Sequence, residues 1–197
     1  MTAVKMTPDE IEMLTSHLVK DINYLEFGAG GSTLLALKRG VERCDSVETD
    51  RLWVRKLRED ATIEFAERCG QLVFHQVDVG PTRAWGMPAD ESGLRRWPNY
   101  FLKAWSLLEE DPDLVLIDGR FRAACGLCAL IVCDQTAAIL VHDFCAKPSK
   151  QRENYHRLLE FADVTERKNT LVRLTRKASA TERKMLGVLA DTWNDFW

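Results

Sequence analysis

Short strand-like runs that each close on an acid recur along this chain, and helical patterns separate them. Residues 22–27 pass through Glu26 into a glycine cluster; 45–48 end on Glu48, 71–78 on Asp78, 113–118 on Asp118 and 137–143 on Asp143. Between them, helical spacing is expected over about 32–39, 51–68, 100–108, 123–133 and 149–160. Strand alternating with helix implies an α/β fold in which a doubly wound, mostly parallel sheet is covered on both faces. The runs at 113–118 and 137–143 are almost wholly apolar before their acids, as buried parallel strands are. In such sheets ligands sit beyond the carboxyl ends of the strands, where these acids fall.

At 197 residues the chain is expected to form one domain, with an N-terminal helix in 1–20, a core over 21–176 and a C-terminal helix in 177–197. Thr7, Pro8 and Glu10 open the first helix as N-cap, first-turn proline and capping-box acid. Residues 164–176 read as two short strands around Lys168-Asn169. The stretch 79–99 reads as a long loop with Trp85 and Trp97 in it, and long loops in compact domains are often functional. The net charge of −3 argues against a nucleic-acid partner, and the basic residues between Arg167 and Lys184 are interrupted by acids. With no apolar run of bilayer length and no signal core, no membrane association is expected and the location reads as cytoplasmic. The six cysteines then read as thiols packed as small hydrophobes, the Cys125/Cys128 pair included.

The stretch Tyr24-Leu25-Glu26-Phe27-Gly28-Ala29-Gly30-Gly31-Ser32-Thr33 narrows the ligand. No Gly-Lys-Ser/Thr follows, which excludes a P-loop. A dinucleotide fingerprint is nearly met, with Thr33 where the third glycine belongs, but Glu26 sits badly beside a pyrophosphate. A cationic ligand suits Glu26 better. Glu26-Phe27-Gly28-Ala29-Gly30 resembles the first motif of class I S-adenosylmethionine-dependent methyltransferases, and the order of acids that follows is similar to that family's. The Ile117-Asp118-Gly119-Arg120-Phe121-Arg122 stretch is like the fourth motif of small bacterial members whose substrates are generally unassigned.

The resemblance covers about 21–176 and implies a seven-stranded Rossmann-like sheet with residues 164–176 at an antiparallel edge. It implies S-adenosylmethionine as cofactor, held by Glu26, Gly28, Gly30 and Ser32 of the glycine loop, with Glu48 on the ribose hydroxyls and Asp78 on the adenine amino group. The implied activity is methyl transfer to a small-molecule substrate; a homodimer is compatible with it. A cofactor-binding protein without catalysis and a nicotinamide-dependent oxidoreductase are the competing functions, the second disfavoured by Glu26.

Methyl transfer often needs a proton removed from the nucleophile, and Asp118, His142 and Asp143 are the candidate catalytic groups. The plainer readings are helix capping for Asp118 and a backbone tether for His142. Asp118 and Asp143 resemble the paired acids of metal-dependent catechol-type enzymes, but Phe144 stands where those carry an asparagine, so no metal is expected. Arg120 and Arg122 could grip an anionic substrate group or pair with nearby acids. Trp85 and Trp97, with Tyr100 and Trp105 near them, could line a substrate lid or pack in the core.

Overall fold

A computed structural model describes residues 3–145 and 153–197. The principal sheet contains β1 (Asn23–Phe27), β2 (Arg43–Glu48), β3 (Leu72–Gln76), β4 (Leu114–Ile117), β5 (Ala138–Val141), β6 (Ala162–Lys168) and β7 (Leu171–Arg176). Their spatial order is β3-β2-β1-β4-β5-β7-β6. Neighbours are parallel from β3 through β5, whereas β7 runs antiparallel to both β5 and β6. The expected doubly wound, seven-stranded sheet with an antiparallel edge is therefore present. The order reverses between β1 and β4, which opens a crevice at their carboxyl ends.

Alternation along each strand sorts the core into two layers. Leu25, Phe27, Val47, Val115, Ile117, Ile139 and Val141 belong to one cluster, with α5 (Pro98–Leu102), α6 (Arg122–Val132) and α7 (Glu182–Thr192). Tyr24, Cys44, Leu72, Leu114, Leu116 and Leu140 belong to the other, with α1 (Pro8–His17), α2 (Gly31–Arg39) and α4 (Ala61–Arg68). Cys125 and Cys128 are buried on α6, which carries no acid in its length and packs as a core helix.

Several elements differ from the pattern-based expectation. The helix expected over 51–68 is two, α3 (Arg51–Leu57) and α4, because the Asp60 carboxylate accepts from Thr62 N at 3.0 Å and starts a new helix. The helix expected over 100–108 starts earlier at Pro98 and gives way to a 3-10 turn at Ala104–Ser106. The stretch 79–99 is folded: Thr82–Arg83 pairs with Met87–Pro88, and 3-10 turns fill Ala84–Gly86 and Glu91–Arg96. The helix expected over 149–160 is a 3-10 segment, Glu153–Glu160, and its first residues lie outside the described ones. The last helix stops at Thr192, after which Phe196 packs on Trp97 and Phe121. Among the described residues no helix is long and apolar enough to cross a membrane.

Candidate functional site

A cavity of about 440 Å³ opens at the carboxyl ends of β1, β2 and β4. The glycine loop forms its floor. Gly28 has φ +101°, and a Cβ there would lie 2.8 Å from the Gly119 Cα, so the turns after β1 and β4 can meet only without a side chain. Gly31, at the start of α2, is overlaid by the backbone of Ala3 and Val4, which brings the N-terminal segment into the wall. The Trp53 indole N–H donates to Ala29 O at 2.8 Å and fixes the loop from the α3 side.

Glu26 lies beneath this floor and is fully buried. Its carboxylate accepts from Tyr24 Oη at 3.0 Å, Ser32 Oγ at 2.7 Å and Ser46 Oγ at 2.8 Å, and also from Thr33 Oγ1. Thr33 Oγ1 in turn accepts from Gly30 N at 2.9 Å. Burial pushes the Glu26 carboxyl up to about 7 even though the four hydroxyls favour its charged form. Direct contact between Glu26 and a ligand, as the motif suggested, is corrected: the side chain does not line the cavity, and Ser32 stands between. Its role in the geometry is to shape the loop through its four hydroxyl partners.

Glu48 does reach the cavity. Its Oε1 accepts from Thr49 N at 2.6 Å and Asp50 N at 2.9 Å, and its Oε2 from Ala29 N at 3.1 Å. Burial raises this carboxyl, with those backbone N–H groups pulling the other way. Thr49 Oγ1 donates to Gly86 O at 3.0 Å and ties the folded 79–99 stretch over the end of β2.

On the β4 side, Asp118, Gly119 and Arg120 line the cavity, and Tyr100 rises between them and the floor. His142 Nδ1 lies 2.8 Å from Asp118 Oδ1. On its far side His142 Nε2 is 3.5 Å from Glu10 Oε2. Glu10 also accepts from Thr7 N at 2.8 Å and from Thr170 N at 2.9 Å and Oγ1 at 2.7 Å. Burial alone would raise Glu10, but these donors outweigh it and hold it at about 2. Burial pushes His142 down; the Asp118 carboxylate, with Asp143 behind it, overrides that and raises it above its ordinary value.

The Arg122 guanidinium is buried and fully used. Nε donates to Gly119 O at 2.9 Å, Nη1 to His142 O at 2.7 Å and Asp143 Oδ2 at 2.8 Å, and Nη2 to Asp118 O at 3.0 Å. Asp118, His142 and Asp143 each bring a ligand atom within 4.8 Å of the others, as a metal site would. Arg122 Nη2 sits 3.2 Å from Asp118 Oδ1, so a fixed positive charge already serves this donor set. Trp85, in the cavity wall, and Phe121 and Asp143, which follow the ends of β4 and β5, have positive φ.

Six of the sequence-predicted residues stand away from the cavity wall: Glu26 and His142, described above, and Asp78, Trp97, Arg122 and Asp143. Asp78 is half-exposed, pairs with Arg96 and accepts from Gly80 N at 2.9 Å; it is withdrawn from the wall by the turn that begins the 79–99 stretch. Trp97 is 2 % exposed and donates to Val79 O at 2.9 Å, which corrects a substrate-binding role to a core one. Arg122 is likewise a structural tie and not a free grip, and Asp143, which it binds, is not in the cavity wall either. Gly28, Gly30, Ser32, Glu48, Trp85, Asp118 and Arg120 do line it, Trp85 as a 74 % exposed side chain at the rim. Pattern reading missed Lys5, Thr49 and Trp53 in the wall and the second task of Glu10. The capping box disclosed Glu10 itself, but nothing local signals its contact with Thr170 and His142.

A methyltransferase-like protein from Silicibacter pomeroyi DSS-3 matches this architecture over 98 % of both chains, with a TM-score of 0.83 and 26 % identity. The chain has the class I S-adenosylmethionine-dependent methyltransferase fold. Two more distant proteins share this methyltransferase fold. An O-methyltransferase from Bacillus cereus, solved in complex with SAH, matches 88 % of this chain and 83 % of its own at TM-score 0.57 and 13 % identity. The C-terminal domain of precorrin-6Y C5,15-methyltransferase from Rhodobacter capsulatus matches 89 % and 93 % at TM-score 0.54 and 11 % identity. No protein-family model matches the chain, and no curated protein matches it in sequence.

Proposed function

We propose that this protein is an S-adenosylmethionine-dependent methyltransferase acting on a small-molecule acceptor. The observation that carries the reading is the single cavity wall that joins the glycine loop, Glu48 and Asp118 at the switch point of the sheet. Glu48 Oε2, which accepts only from Ala29 N, keeps a lone pair for a ribose hydroxyl, and Gly28 and Gly30 let the cofactor lie close to the backbone. Asp78 does not line that cavity, and the adenine is assigned to the Thr49 and Trp85 side of the wall. Bound S-adenosylmethionine supplies an electrophilic methyl group on a sulfonium.

Asp118 is the group in this wall that takes the acceptor's proton. His142, raised by its carboxylate neighbours, donates to Asp118 and fixes its orientation, and Arg122 holds both main chains in place. Arg122 supplies positive charge beside both carboxylates of this side.

Titration calorimetry with S-adenosylmethionine, S-adenosylhomocysteine and NAD tests the assignment. Both sulfur nucleosides are expected to bind and NAD is not. Binding of NAD alone would overturn it. Sulfur-ligand binding with an Asp118→Asn variant as active as the parent on any acceptor would remove Asp118 as base.

A further inference from the structure

Two arginines follow Asp118 within four residues, and the fold treats them oppositely. Arg122 spends its guanidinium on main-chain carbonyls and carboxylates. Arg120 lines the cavity, is half-buried, and its guanidinium forms no hydrogen bond or ion pair among the described residues. Its Nε is wholly buried without a partner. Its main chain is engaged, the N–H with Tyr100 Oη at 3.4 Å and the carbonyl with Cys125 Sγ at 3.5 Å, but its side chain is not. Burial and the charge of Arg122 both weigh against this cation. An unpaired guanidinium held partly out of water destabilises a fold unless a ligand completes it.

We propose that Arg120 receives an oxyanion of the acceptor, so that the methylated substrate is a small organic acid whose nucleophilic atom faces Asp118. The proposal rests on the methyltransferase reading above. The guanidinium fork matches a carboxylate or a phosphate in two parallel hydrogen bonds. The cofactor's own carboxylate has another cation: Lys5 enters the wall beside the N-terminus of α2, where the backbone of Ala3 and Val4 covers Gly31. Trp53, Trp85 and Tyr100 in the same wall give an acceptor flat apolar surfaces beside the charge.

The test is calorimetry on the protein saturated with S-adenosylhomocysteine, using matched probes: 4-hydroxybenzoate against 4-hydroxybenzamide, and phenyl phosphate against phenol. At least one acid should bind roughly tenfold or more tighter than its neutral partner, the arm that does so naming the anion. Arg120→Gln should erase that preference, leave S-adenosylhomocysteine affinity unchanged, and melt at the same or a higher temperature than the parent. The proposal is overturned if neither acid outbinds its neutral partner, or if the variant keeps the preference. Loss of S-adenosylhomocysteine binding in Arg120→Gln would reassign Arg120 to the cofactor and also overturn it. Failure of the parent protein to bind S-adenosylhomocysteine would instead sink the methyltransferase reading, and this proposal with it.

Discussion

The two halves of the sheet's carboxyl edge handle their strand-end carboxylates in different ways. At the ends of β1 and β2, Glu26 and Glu48 are surrounded by neutral donors: hydroxyls for one, mostly backbone N–H groups for the other. At the ends of β4 and β5, Asp118 and Asp143 face full charges on Arg122 and, for Asp118, on His142 when it is protonated. Neutral donors fix a carboxyl group in position and bring no counter-charge of their own, so the β1–β2 half can take on negative charge when a cationic ligand arrives. Charged partners cancel one another and can exchange a proton, which suits the half assigned to chemistry. The division teaches that a row of acids at strand ends is two devices, a cradle and a proton-handling network.

The largest expected effect comes from breaking the charged half. Arg122→Ala leaves Asp118 and Asp143 without their shared cation and three carbonyls without a donor, and should cost about 3–5 kcal/mol of stability. Urea unfolding reads this directly, and a loss below about 1 kcal/mol would show that the network is not holding the fold together.

The neutral half should respond more weakly and with a different pH signature. Glu26→Gln keeps one acceptor oxygen but forces an N–H₂ group against hydroxyl donors, at a cost of about 1–3 kcal/mol. The folded-state value of about 7 lies above the ordinary 4.5, so Glu26 contributes most to stability below 4.5 and that contribution fades as pH rises through 7. Unfolding measured between these limits should show this fall in the parent and lose it in the glutamine variant. An unchanged slope would mean that Glu26 is ionised throughout.

The smallest effect concerns His142, which Asp118, Asp143, Glu10 and Arg122 face from β4, its own strand end, α1 and α6. Proton NMR of its imidazole should show a midpoint above the ordinary histidine value. Its stabilising contribution is then full below that ordinary value and is lost as pH rises through the raised one. Asp118→Asn should bring the midpoint down, and Glu10→Gln should move it less. A midpoint indifferent to Asp118 would dissolve the proton-handling half.

How much of this was legible beforehand follows from the range of each interaction. The sheet, its parallel order and the positions of Glu26, Glu48 and Asp118 follow from local periodicity and from acids at strand ends. Asp78 satisfies the same local rule yet points elsewhere, because the turn through Gly80 and its pairing with Arg96 depend on how residues 79–99 fold. Trp97 and Trp85 share one stretch and look alike in sequence; Phe121 and Phe196 bury one and leave the other at the rim. Glu10 reads as a capping acid, while its partners Thr170 and His142 come from the far end of the chain. Arg120 and Arg122 are the same residue type two positions apart, and only the packing of α6 against β5 decides which is saturated.

A crystal structure with S-adenosylhomocysteine tests the division most directly. The account predicts ribose hydroxyls on the Glu48 carboxylate, the sulfur directed toward Asp118, and Glu26 still enclosed by its hydroxyls under the glycine loop. A nucleoside seated instead beyond β3 on Asp78, with Glu48 and Asp118 untouched, would contradict it.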